Sequence, residues 1–267
     1  MKKELTSEQE TLTSPEGEGH HLLIGIHGGV GVGKSKLAEL MDEKFKITIF
    51  EEKFSENPYL ERFYTDPQRW SFYSQAFFLE DVFEQMEQLP EILENGSAIV
   101  DPTHWQHTEI FALTQHQMGW MSDKDYQVYL AIYEALAEGS NAPTPDIIIS
   151  VHTPVETIID RIKERGRPYE LRMLKYHPDY FYQIAQRVEK WAEENPHNIP
   201  IIIVDSHRYN YVDEPMDAFR VASQIQREVF EQLGGKEDVI LPESFIPGPI
   251  MDPSVGKRAK WDIPFGR

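Results

Sequence analysis

The chain has 267 residues, with 26 Lys plus Arg against 45 Asp plus Glu, a net charge of −19 and no cysteine. That length suits one large α/β domain with tails as well as two domains of roughly 150 residues each. The acidity argues against nucleic-acid polymers and anionic membrane surfaces as partners, and the missing cysteines exclude disulfides, thiolate metal sites and Cys nucleophiles.

Residues 1–19 are rich in Glu, Ser, Thr and Gly with almost nothing to bury, so they are expected to form a disordered acidic tail. That segment lacks an apolar signal core, and no apolar run approaches the ~18 residues of a membrane span, so the expectation is a soluble cytoplasmic protein. His21–His27 is a short apolar run ending in a glycine cluster, the pattern of a buried parallel strand. Further short apolar runs follow at 47–50, 98–100, 146–151 and 199–204. Helical spacing fills the intervals at 34–45, 69–95, 108–118, 122–138, 155–165, 179–194 and 215–233. Alternation of this kind predicts a three-layer α/β domain over 20–235, with a five-stranded parallel sheet covered on both faces. Residues 236–267 are rich in proline and without periodicity, a C-terminal extension that reads either as a surface strap or as a disordered tail.

Gly28-Gly29-Val30-Gly31-Val32-Gly33-Lys34-Ser35 matches G-x-x-x-x-G-K-[ST] between a strand and a helix. Glycines there let successive backbone N–H groups converge on phosphate oxygens, and the helix N-terminus adds a partial positive charge. Lys34 is expected to reach the β- and γ-phosphates of ATP, and the Ser35 hydroxyl to ligate Mg²⁺. The metal also needs a carboxylate at a neighbouring strand end, and Asp101, closing Ser97-Ala-Ile-Val-Asp101, is the candidate. Arg161, Arg165 and Arg167 cluster around Gly166, where one helix ends and another begins. In so acidic a chain they suggest a movable guanidinium clamp over a transferring phosphoryl group.

From about His21 to Gln232 these pieces resemble the deoxynucleoside kinase family. In Phe50-Glu-Glu52-Lys-Phe-Ser-Glu-Asn57-Pro58 the resemblance puts the general base on Glu52. In Phe63-Tyr64-Thr-Asp66-Pro67-Gln-Arg69-Trp70-Ser-Phe72-Tyr-Ser-Gln75 it gives Tyr64 to the sugar 3′-hydroxyl and Gln75 to the base edge. Phe111 matches a ring stacked on the base, and Glu170 a lid acid that also reaches the 3′-hydroxyl. The stretches Ile203-Val-Asp205-Ser and Tyr211-Val-Asp213 resemble the loop around the adenine of ATP. The resemblance further implies a sheet order of 2-3-1-4-5, counting from the His21–His27 strand, and a homodimer paired through a helix bundle.

The acceptor side departs from the family pattern. Where the family has acid-Arg-Ser and then a second acid, this chain reads Asp101-Pro102-Thr103-His104-Trp-Gln-His107. Another family arginine falls on Val82, and no Lys or Arg occurs between Trp70 and Asp123, an interval with nine acids and three histidines. Protonated His104 or His107 is one expected substitute, its pKa raised by those acids. The leading reading is an ATP-dependent kinase acting on the 5′-hydroxyl of a (deoxy)nucleoside or related small acceptor. A non-catalytic nucleotide-binding protein on a kinase fold, or a kinase for another hydroxylated metabolite, are the alternatives.

Overall fold

The computed structural model describes residues 19–246. The acidic segment 1–18 and residues 247–267 of the Pro-rich extension lie outside the described residues.

The elements in chain order are β1 (His20–His21), β2 (Leu23–His27), α1 (Lys34–Phe45), β3 (Thr48–Glu51), α2 (Leu60–Thr65), α3 (Pro67–Met86), α4 (Leu89–Leu93) and β4 (Ala98–Asp101). A π-helical turn over Gln106–Ala112 runs into α5 (Leu113–Gln117), then α6 (Asp123–Gly139), β5 (Ile147–His152), α7 (Val155–Arg165), α8 (Pro168–Tyr176), α9 (Asp179–Glu194), β6 (Ile201–Asp205), α10 (Pro215–Leu233), β7 (Val239–Ile240) and a 3₁₀ turn at Glu243–Phe245.

Five strands form one parallel sheet in the order β3-β4-β2-β5-β6, which is the expected 2-3-1-4-5 once the short β1 is counted. Strand β2 is buried at every residue, as a central parallel strand covered on both faces must be. Its alternation divides the core. Ile24 and Ile26 join the apolar cluster containing Leu37, Ile158 and Val229, whereas Leu23 joins Leu79, Val82, Phe83 and Tyr129 on the other face.

Two helix boundaries differ from the expected ones for physical reasons. The helix expected over 69–95 breaks between α3 and α4, because Pro90 lacks an N–H and its ring collides with the carbonyl one turn earlier. The segment expected at 108–118 begins earlier, as the π-helical turn at Gln106, a distortion that often sits at functional positions.

Residues 239–245 belong to the packed domain. Strand β7 pairs with β1, Phe245 is fully buried, and its ring stacks on Phe45 at 4.3 Å between centroids. The Gln226 Nε2 donates to the Ser244 carbonyl at 2.6 Å and the Ser244 hydroxyl to the Phe45 carbonyl at 3.3 Å. Phe245→Ala should therefore cost about 3–5 kcal/mol, the range for a buried Phe truncated to Ala. Urea unfolding measures it; a loss below about 1 kcal/mol would show that the segment only rests on the surface.

Candidate active site

At the carboxyl edge of the central strands lies a cleft of about 720 Å³. Its walls include Gly29, Val30, Gly31, Gly33, Lys34 and Ser35 of the glycine loop, with Glu52, Tyr64, Gln75 and Phe111 on one side and Arg161, Arg165, Arg167 and Glu170 on the other. Of the sequence-predicted residues, Gly28, Val32 and Asp101 do not line the cleft; Asp101 lies beneath it, 4% exposed.

The glycine loop leaves β2 and enters α1 at Gly33, whose φ of 104° is a left-handed conformation. A Cβ there would lie 2.6 Å from the Tyr211 hydroxyl, which donates to the Gly33 carbonyl at 3.1 Å, so both backbone and space require glycine. Lys34 Nζ donates to the Gly29 carbonyl at 3.3 Å within the loop.

Strand register assembles the acids. Asp101 pairs with Glu51 across β3–β4, and the Glu52 N–H donates to the Asp101 carbonyl at 2.8 Å. The Ser35 hydroxyl reaches Asp101 Oδ2 at 3.5 Å, while Oδ1 is buried without a partner. Burial pushes the Asp101 carboxyl up to about 6; Lys34 opposes this and Glu51 adds to it. Glu52 keeps 29% of its side-chain surface, but that surface faces the narrow cleft instead of open water. Loss of hydration raises it to about 7 against the opposing Lys34 charge, with smaller contributions from Asp101 and Asp81.

An orphaned carboxylate oxygen beside a hydroxyl fits one side of a Mg²⁺ shell. Among the described residues no cluster of three His, Asp or Glu could hold a metal alone. Ser35 and Asp101 are residues that could hold such an ion.

The three arginines have different placements. Arg161 is a brace: its Nη1 donates to the Val32 carbonyl at 2.9 Å and the Ser206 hydroxyl at 3.0 Å, and Nη2 to the Ser206 carbonyl at 2.6 Å. It ties the glycine loop to the segment after β6 while still lining the cleft. Arg165 instead forms a two-point pair with Glu170 at 3.0 and 2.8 Å, and Arg167 reaches the same carboxylate at 3.4 Å.

On the acceptor side Val82 faces the core, 3% exposed, and cannot present a group to the cleft. The neighbouring Asp81 is buried and paired with Lys53 at 3.2 Å. His107 stacks on Phe78 at 5.4 Å between centroids, its Nε2 3.6 Å from Glu52 Oε1. A protonated histidine in place of the missing arginines is not what the fold provides. Burial lowers His107 to about 3 and His104 to about 4, with Lys34 adding to the effect at His107 and His197 at His104.

Gln106 carried no signal in the sequence. Fully buried at the start of the π-helical turn, it accepts the Gly28 N–H on Oε1 at 2.6 Å and so joins the phosphate loop to the helix that bears His107 and Phe111. Only the chain spacing from Asp101 could have suggested it. The segment resembling an adenine loop does line the cleft, with Tyr209, Asn210, Tyr211, Val212 and Asp213.

Comparison with known proteins adds the lineage. The family described as deoxynucleoside kinase matches residues 24–231. The chain belongs to the deoxynucleoside kinase family. That family consists of ATP-dependent phosphotransferases acting on deoxynucleosides. Among its members, a deoxyadenosine/deoxycytidine kinase of Bacillus subtilis (strain 168) is 30% identical over 212 residues, 77% of this chain and 94% of that protein. A deoxyguanosine kinase of the same strain is also 30% identical, over 210 residues, 76% and 95% of the two chains. The structure of a deoxyadenosine kinase from M. mycoides with bound dATP superposes with a TM-score of 0.65 at 26% identity, over 77% of this chain and 99% of that one. No helix among the described residues is long and apolar enough to cross a membrane.

The buried His27 and His107 and the half-buried His104 set a pH dependence of stability. His27, lowered to about 3 chiefly by burial, joins His104 and His107 as a group kept neutral in the fold. An unfolded histidine takes a proton below about 6.5, so each contributes stability above that pH which is lost as pH falls toward the folded value. The raised Glu52 and Asp101 carboxyls act in the opposite direction from about pH 7 downward. A variant difference isolates one histidine. Between pH 7 and 5 the wild type should lose roughly 1–2 kcal/mol more unfolding free energy than His104→Gln. Equal losses in urea titrations would mean that His104 is charged in the fold.

Proposed function

We propose that this protein transfers the γ-phosphoryl group of ATP to the 5′-hydroxyl of a deoxynucleoside. The observation that supports it most is one cleft lined by both the glycine loop with Lys34 and the set Glu52, Gln75 and Phe111. A donor phosphate and an acceptor hydroxyl can meet there without any domain movement.

In this reading the backbone N–H groups of the glycine loop and the Lys34 ammonium bind the phosphates of ATP, and the 209–213 segment packs against its base. Mg²⁺ held by Ser35 and Asp101 would offset charge on the β- and γ-phosphate oxygens. Glu52 takes the proton of the attacking hydroxyl, a task suited to a carboxyl poised near 7. Tyr64 and Glu170 orient the sugar, Gln75 reads the base edge and Phe111 stacks on it. Arg165 and Arg167 steady the transferring group, while Arg161 keeps the glycine loop in shape. Such a reaction belongs in the cytoplasm, where ATP and free nucleosides occur together.

Pairing with a second copy belongs to the same proposal. Helix α6 fully buries only Tyr129 and leaves Val128 and Ile132, one turn apart, 45% and 38% exposed beside α3. Ile132→Glu should shift a dimer to monomer in analytical ultracentrifugation; a wild type that sediments as a monomer would remove this part of the proposal.

The carboxylate roles are separable by mutation. Glu52→Gln should lower kcat by roughly 10²–10⁴-fold with ATP affinity retained, the usual contribution of a positioned base. Glu51→Gln, at an exposed edge position, should change kcat by less than about tenfold. Measured phosphorylation of deoxyadenosine decides: the reverse order of effects would assign the base to Glu51.

A further inference from the structure

The base end of the cleft holds two buried hydrogen-bonding atoms without partners, Gln75 Oε1 and His107 Nδ1. Their side chains are more than nine-tenths buried and line the cleft. Each marks a place where a ligand atom is wanted.

The character of His107 Nδ1 is set by its neighbours. In the state that can receive a proton from the acceptor, Glu52 is ionised, and His107 Nε2 faces that carboxylate at 3.6 Å. A neutral imidazole carries one proton, and the carboxylate assigns it to Nε2. Nδ1 is then a fixed hydrogen-bond acceptor, whereas the Gln75 amide can turn to present either its oxygen or its NH₂ group. The ring is held in place by its stack on Phe78.

Among the described residues, cations that could read a keto group are absent from this end. The cleft's lysines and arginines, Lys34, Lys36, Arg161, Arg165 and Arg167, sit on the glycine loop, α1 and the α7–α8 lid. Lys53, near α3, is engaged by Asp81 and Glu84 and does not line the cleft. Keto and ring-nitrogen acceptor pairs are read best by Arg or Lys, whereas an amide reads an amino group beside a ring nitrogen.

We infer that the acceptor carries an amino group beside a ring nitrogen, at the purine 6-position or the pyrimidine 4-position, and that His107 is the residue selecting it. This rests on the proposed kinase reading of the cleft. The two Bacillus relatives do not decide the point, since one is named for deoxyadenosine and deoxycytidine and the other for deoxyguanosine at the same identity. An exocyclic amino group has two N–H donors, one for each unpartnered acceptor. An oxo group in the same place would set its own lone pairs against His107 Nδ1.

The test compares kcat/KM at saturating ATP for deoxyadenosine against deoxyinosine and deoxycytidine against deoxyuridine, pairs that differ only by amino for oxo at this position and the attendant ring proton. The amino member of at least one pair should be favoured by roughly 10- to 100-fold. His107→Phe, which keeps a ring on Phe78 and removes the acceptor nitrogen, should reduce that ratio by about tenfold. A merely structural role would lower both rates and leave the ratio alone. Equal efficiencies within both pairs in the wild type would overturn the inference, as would an unchanged ratio in His107→Phe. If that variant does not fold, the wild-type ratios decide alone. Transfer to none of the four nucleosides by a wild type that binds ATP would instead overturn the kinase reading beneath it.

Discussion

The parallel register of β2, β3 and β4 is the constraint on which the site depends. Because β4 pairs with both neighbours, the end of each strand arrives at the same edge, and the segments leaving the strands have no freedom to separate. The glycine loop leaves β2, Glu52 comes directly after β3 and Asp101 closes β4. Asp101 and Glu52 thereby meet at this edge, with the exposed Glu51 beside them. Hydration is lost and like charges add to the cost, which is why Asp101 and Glu52 are both pushed up. Lys34 is the cation opposing this. The arrangement favours binding of further positive charge.

Around that fixed edge the two halves of the cleft differ in character. The donor half is bound by backbone and guanidinium groups: Tyr211 closes on Gly33, Arg161 spans the loop and Ser206, and Glu170 gathers Arg165 and Arg167. The acceptor half is aromatic and uncharged apart from Glu52, with Phe78, His107, Phe111 and Tyr180 enclosing Gln75. Here Val82 is part of the second apolar cluster, and its chain neighbour Asp81 holds Lys53 in an ion pair. On the proposed reading, with no Lys or Arg on this side among the described residues, the acceptor is recognised through shape, stacking and neutral hydrogen bonds. Gln106 links the halves through its bond to Gly28, so the helix that carries His107 and Phe111 also shapes the phosphate loop.

Much of this was legible in the residues because it depends on local pattern. Apolar runs ending in glycine or acid located the sheet, and the G-x-x-x-x-G-K-S string located the phosphate loop. What escaped the sequence depends on direction. Nothing in the chain tells whether Arg161 points out to a ligand or inward to the Val32 and Ser206 carbonyls. The acids surrounding His104 and His107 in sequence suggested raised pKa values, yet in space burial dominates and both fall. Val82 aligns with a family arginine, but only the fold shows its side chain to be in the sheet-facing core. Phe245 lies beyond the stretch matched to the family, amid prolines, and its burial against Phe45 goes with the pairing of β7 and β1.

The most direct test of the central claim, that strand register builds one phosphoryl-transfer edge from Ser35 and Asp101, is the Mg²⁺ dependence of ATP-driven deoxynucleoside phosphorylation in Asp101→Asn. The substitution keeps the shape of the side chain and removes its charge. The half-saturating Mg²⁺ concentration should rise by about tenfold or more, since a hard cation loses an anionic oxygen. A Mg²⁺ requirement equal to that of the wild type would contradict the account and move the metal to another acid.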